Sequence, residues 1–223
     1  MRLRFLGRGL FRPDEADENG LVAVGGALTT ELVLESYVSG CFPWSSQPVV
    51  SWWSPDPRAI FDLPTYKEHR SVKKRVRQNG WTFSIDRDFI GVMRACAEPT
   101  TERPETWISD DFVAAYTRLH ELGLAHSVEV WEAGALVGGL YGVLIGGFFG
   151  GESMFHRRAD ASKAAVGFLV ERCRAGGVTL LDAQVPNPHL MSLGAVEISR
   201  AEYLERLKAA LGKTATLDLG GGV

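Results

Sequence analysis

Along residues 109–123, SDDFVAAYTRLHELG, apolar side chains recur at Phe112, Val113, Tyr116 and Leu119. That spacing lines one face of a 3.6-residue helix. Ser109 stands at the N-cap position, and Gly123 stands where the helix should stop. The pattern then changes. HSVEVWE, ALVGGLYGVL and GGFFGGESMF follow in order, separated by EAG and IGG, and this predicts an antiparallel meander of three strands. A helix is expected over 160–177, starting at Asp160 or Ser162 and ended by Gly176 and Gly177. VTLLDAQV (178–185) is apolar at most positions of both parities, the pattern of a strand covered on both faces. The last helix, SRAEYLERLKAAL, opens with a Ser199-x-x-Glu202 capping box. Near the start, NGLVAVGGALTTELVLESYVSGCFPW reads as a short strand, a Gly-Gly turn, and a helix capped by Thr29 or Thr30 and ended by Gly40. A Pro-punctuated segment, SWWSPDPRAIF, leads into the rest, with a soft boundary near residue 60. These elements predict an α+β fold with a mixed sheet, a small N-terminal domain over 1–60 and a larger one over 61–223. The tail TATLDLGGGV is expected to fray.

Composition narrows the class. The 223 residues are 45% hydrophobic and 23% charged, as in a soluble globular protein. No apolar run is long enough to span a membrane, and the first twenty residues lack the apolar core of a secretory signal. Cys41, Cys96 and Cys173 are odd in number and widely spaced. They read as reduced thiols of a cytoplasmic protein, with no metal site.

A net charge of −3 argues against a nucleic-acid binder until one stretch is considered. KEHRSVKKRVR (67–77) holds six Lys/Arg and one Glu, a local +5. On a helix, Arg70, Lys73, Lys74 and Arg77 share one face, and Val72 and Val76 lie on another. Such a helix is either a solvated face or one docked by its apolar side and offered to phosphates. Gly80 is its expected stop.

Candidate chemistry is sparse. In GLYGVLIGGFFGGESMF (139–155) the only formal charge is Glu152. Burying a lone carboxylate is costly, so Glu152 marks either a solvated strand end or a partner worth that cost. Asp182 and Gln184 stand two apart where the buried strand ends, a spacing that predicts one shared face. They are either a satisfied structural pair or a grip for a substrate amine. The five histidines are scattered, and Ser153 lacks a G-x-S-x-G elbow. A meander, helix and buried strand suggest a GNAT-like acyltransferase. The loop HRRADASKAA, where coenzyme A would need a glycine-bearing phosphate cradle, has no glycine. Another acyl carrier is therefore indicated. A non-catalytic RNA-binding module would explain the basic stripe but leave Glu152, Asp182 and Gln184 idle.

The stretches NGLVAVGG, GCFPW, WWSPDPRA, TWIS, AYTRLHELGLAHSVEVW, LVGGLYGV, GESMF, ASK, LDAQV and SLGAVEI occur in order from about residue 20 to 207. In these the chain resembles the bacterial leucyl/phenylalanyl-tRNA–protein transferases. The resemblance implies a small N-terminal domain on a GNAT-like domain, with no coenzyme A, no metal and no other cofactor. It implies transfer of Leu, Phe or less often Met from charged tRNA to the N-terminal Arg or Lys of a protein, marking it for degradation. It places Asp182 and Gln184 at the reacting centre, and Glu152 at the amino-acid end of the aminoacyl-tRNA. Trp44, Trp107 and Tyr116 become walls of the aminoacyl-adenosine site. Phe149 and Met154 belong to the apolar pocket, with Leu140 where the family often has Met. The helix bearing Arg70, Lys73, Lys74 and Arg77 would meet tRNA. A monomer is expected.

Overall fold

The computed structural model describes residues 10–45, 49–99 and 104–217. In chain order the elements are β1 (Leu21–Val24), α1 (Thr30–Val38), β2 (Phe42–Pro43), β3 (Ser51–Trp53), β4 (Arg58–Phe61), α2 (Arg70–Asn79), β5 (Thr82–Ile85), α3 (Phe89–Ala97) and α4 (Asp110–Glu121). There follow β6 (Ala125–Glu132), β7 (Ala135–Ile145), β8 (Phe148–His156), α5 (Ala161–Gly176), β9 (Leu180–Gln184), α6 (Pro188–Ser192), β10 (Val196–Ile198) and α7 (Arg200–Leu211). Several of the helix signals act as read, although Asp160 at the start of α5 makes no side-chain cap bond. Thr29 Oγ1 accepts from Leu32 N–H, and Ser199 Oγ accepts from Glu202 N–H. Gly80 ends α2 in the left-handed conformation, at φ 61°, which costs a glycine little.

β1, β3 and β2 form a three-stranded sheet. The other strands form a seven-stranded sheet in the order β10-β4-β9-β8-β7-β6-β5. Within it β6, β7 and β8 are the expected antiparallel meander. β8 and β9 pair in parallel, and the remaining neighbours are antiparallel. This is the mixed sheet that the element order implies. Two apolar clusters cover its faces. One draws on α1, α3, α4 and α7 through residues such as Leu34, Met93, Phe112 and Leu207. The other draws on α2 and α5 through Val72, Leu169 and Val170. In β9, Leu180 belongs to the first cluster and Leu181 to the second, so this strand is buried on both faces. At Gly138 of β7 a Cβ would come within 2.5 Å of the Ala161 Cβ, so the glycine lets α5 sit close on the sheet. No helix among the described residues is long and apolar enough to cross a membrane.

β2, β3, β4, β5, α3, α6 and β10 lie outside the sequence reading. The tail also departs from it. Thr216 N–H donates to the Gly176 carbonyl, and Leu217 is buried against the α5 side of the sheet. An apolar side chain with a vacant slot beside α5 docks and does not fray. The remainder of the tail, 218–223, lies outside the described residues, as do the first nine residues of the stretch read as lacking a secretory signal.

Candidate active site

β8 and β9 pair only as far as Gly150 and Asp182. Beyond that point both strands carry an extra residue. In β8, Glu152 has no counterpart between Tyr141–Ser153 and Gly142–Gly151. In β9, Ala183 has none between Ala59–Gln184 and Ile60–Asp182. Each bulge bends its strand and re-aims the side chains near it. The result is a V-shaped opening bridged by side chains, with Gln184 Nε2 donating to Glu152 Oε1 at 2.7 Å. Gln184 itself sits at φ 64°, left-handed for a residue that rarely adopts that state.

Glu152 is buried. Its second oxygen, Oε2, accepts from the Tyr116 hydroxyl at 3.0 Å, and the Tyr116 and Tyr37 hydroxyls share a hydrogen bond. Burial pushes the Glu152 carboxyl up to about 7. Bonds from Tyr37, Tyr116 and Gln184 pull the other way, and the Asp182 charge adds to the rise. Burial and the Glu152 charge hold both phenols well above their ordinary range, so they remain donors.

Asp182 belongs to a different constellation. Arg58 Nε donates to its Oδ1 at 2.9 Å and Arg58 Nη2 to its Oδ2 at 2.6 Å. The Tyr203 hydroxyl donates to Oδ2 at 3.1 Å. The Gln184 backbone N–H donates to Oδ1 at 2.9 Å. Both partners of the ion pair are about 1% exposed or less. Breaking such a pair leaves an uncompensated charge and costs about 3–5 kcal/mol. The sequence singled out Asp182 and Gln184 as neighbours on one face. The structure joins them through the backbone instead, while their side chains reach different partners.

A cavity of about 250 Å³ opens at the splay. Phe61, Leu140, Met154, Val166, Leu169 and Leu181 make its apolar lining, and Glu152, Ser153, Asp182, Gln184, Asn187 and His189 are polar residues on it. Trp44, which is exposed, and Trp107, which is half-buried, also line it. Tyr116 was expected as a wall of the aminoacyl-adenosine site and Phe149 in the apolar pocket. Both are fully buried: Tyr116 stands behind Glu152, and Phe149 packs in the cluster beneath. Arg58, Tyr203 and Tyr37 escaped the sequence reading. Their one signal was a lone Arg before an apolar strand in SPDPRAIF.

The basic helix is α2. Val72 is buried, Val76 is half-buried, and Arg70, Lys73, Lys74 and Arg77 are exposed. Lys73 has a long contact to Glu68 at 3.7 Å, and Arg75 turns inward to Asp160 at 3.2 Å. Among the described residues, no three His, Cys, Asp or Glu side chains cluster as metal ligands would.

Comparison with known proteins shows the family. Residues 60–208 match the leucyl/phenylalanyl-tRNA protein transferase family, and residues 26–56 match the N-terminal domain of the same transferases. A leucyl/phenylalanyl-tRNA–protein transferase of Shewanella piezotolerans is 52% identical over 88% of this chain and 84% of its own length. That of Hahella chejuensis is 50% identical over 88% and 85%. Among solved structures, L-PGS from Bacillus licheniformis is a loose likeness, with a TM-score of 0.43 and 16% identity over 60% of this chain and 46% of that one. The chain belongs to the leucyl/phenylalanyl-tRNA protein transferase family.

Proposed function

We propose that this protein moves Leu, Phe or less often Met from charged tRNA onto the N-terminal Arg or Lys of acceptor proteins in the cytoplasm, marking them for degradation. The observation that carries the reading is the apolar cavity capped by the Glu152–Gln184 bridge, in a chain that is half identical to such transferases over most of its length. The apolar lining suits a large apolar side chain such as that of Leu, Phe or Met. Glu152 suits the α-ammonium of the aminoacyl group, with Trp44 and Trp107 flanking the terminal adenosine. Residues 1–60 act as the small N-terminal domain that contributes Trp44, and 61–223 act as the catalytic domain.

The chemistry is aminolysis of an ester. The acceptor amine attacks the aminoacyl carbonyl, a C–N bond forms, the bond to the ribose oxygen breaks, and the amine's proton ends on the released hydroxyl. The ester is already activated, so holding amine and carbonyl together is the main task. Ideal placement is worth up to about 7–11 kcal/mol. Glu152 accepts from Gln184 Nε2, which leaves the amide's carbonyl oxygen to accept from the incoming amine. Asp182, committed to Arg58, Tyr203 and the Gln184 backbone, acts through Gln184. The exposed face of Arg70, Lys73, Lys74 and Arg77 meets tRNA phosphates.

Transfer of labelled Leu from charged tRNA to an Arg-initiated peptide tests the reading. Transfer of Leu to that peptide, with none to an Asp-initiated one, is the expected result. Acetyl-CoA turnover without Leu transfer would overturn it.

A further inference from the structure

Arg58 is buried completely, and neither it nor Tyr203 lines the cavity. The guanidinium is nonetheless fixed from several sides. Its carbon lies 4.7 Å from the Phe42 ring centre and 4.3 Å from that of Tyr203. Its Nη1 donates to the Gly40 carbonyl at 3.3 Å and its Nη2 to the Tyr203 hydroxyl at 3.2 Å. A buried ion pair contributes little net stability compared with apolar packing of the same volume, and what it adds best is a specified geometry. The planar fork sets the plane of the Asp182 carboxylate as a point charge cannot.

That carboxylate, at the edge of the cavity, makes one hydrogen bond to Gln184. Oδ1, held by Arg58 Nε, also accepts the Gln184 N–H, at the residue that follows the Ala183 bulge and takes a left-handed turn. We propose that Arg58 and Tyr203 are positioning residues for the transfer reaction. They lock Asp182, Asp182 holds the Gln184 backbone in its left-handed turn, and the turn aims the Gln184 amide across the splay at Glu152. The inference rests on the placement of Gln184 at the reacting centre.

Two variants probe it. Tyr203→Phe keeps the ring on the guanidinium and removes one bond to Oδ2. Arg58→Lys keeps the charge and removes the fork. Misplacing a reacting group by about 1 Å can cost about 100-fold. Single-turnover Leu transfer to an Arg-initiated peptide should therefore fall about 10-fold in Tyr203→Phe and up to about 100-fold in Arg58→Lys. Affinity for charged tRNA should stay within about twofold. Tyr203→Phe is then repeated in a Gln184→Ala background, where it should cost nothing further, because its effect passes through Gln184. A purely structural hydroxyl would lower stability in both backgrounds and leave the rate per folded molecule unchanged. An equal rate loss in both backgrounds, or a wild-type rate for Tyr203→Phe beside a slow Gln184→Ala, overturns the inference alone. Gln184→Ala transferring at the wild-type rate removes Gln184 from the reacting centre, and this inference with it. Should Arg58→Lys fail to fold, Tyr203→Phe decides.

Discussion

Glu152 holds a proton in the folded chain up to a pH of about 7, against an ordinary value of 4.5, chiefly because it is buried. Between those values the native state binds more protons than the unfolded one, so this group makes the protein less stable as pH rises. Glu152→Gln removes that titration. Its stability should gain on wild type from pH ~5 to pH ~8 by an amount approaching ~3 kcal/mol, read from urea unfolding at both values. A constant gap would mean that Glu152 titrates as an ordinary carboxyl. The sequence made Glu152, Asp182 and Gln184 visible because a polar group inside an apolar run demands a partner. It hid the partners. Arg58 lies 124 residues from Asp182 and 145 from Tyr203, and no local pattern reports a contact across that distance. Tyr116 and Phe149 show the converse limit. A motif fixes which residue stands at a position, while burial behind Glu152 or beneath the cavity depends on how neighbouring elements pack.

Elements were legible where their apolar spacing contrasts with polar neighbours. α4, α5, α7 and the meander fall where the pattern puts them. α3, FIGVMRACA, is nine residues long and apolar at most positions, and β5 is only four residues long. The amphipathic contrast of α2 is strong, and its prediction belongs to the whole helix. If its exposed face meets phosphates, Lys73→Ala with Lys74→Ala should weaken all charged tRNAs alike. Each lost contact should flatten the slope of log K against log salt by roughly 0.7–0.9. A wild-type slope would make the face merely solvated. β9 carries a second prediction. Ala183 is the extra residue of its bulge, so its presence matters more than its side chain. Ala183→Ser should transfer Leu at close to the wild-type rate. Deleting Ala183 should abolish transfer, since a one-residue slip turns every later side chain to the opposite face.

At the scale of the whole molecule, the C-terminal end of the described chain is packed onto the sheet. Leu217 is 1% exposed, and the Leu217 carbonyl accepts from Arg172 Nε on α5. Leu217→Ala should cost about 2–3 kcal/mol in thermal or urea unfolding and leave the transfer rate per folded molecule unchanged. A loss below about 0.5 kcal/mol would mean that the tail is only loosely placed. The Arg58 contacts add a constraint in time. β4 pairs with β9 and β10, both far downstream, and the Arg58 partners Asp182 and Tyr203 come 124 and 145 residues later. At about 5–20 residues per second, a ribosome needs roughly 7–29 s to go from Arg58 to Tyr203. Through that interval β4 waits with its edges open and its charge unmatched. α7, made after β4, β9 and β10, completes a structure begun at residue 58, so a chain released before it carries the cavity's parts without the brace that aligns them.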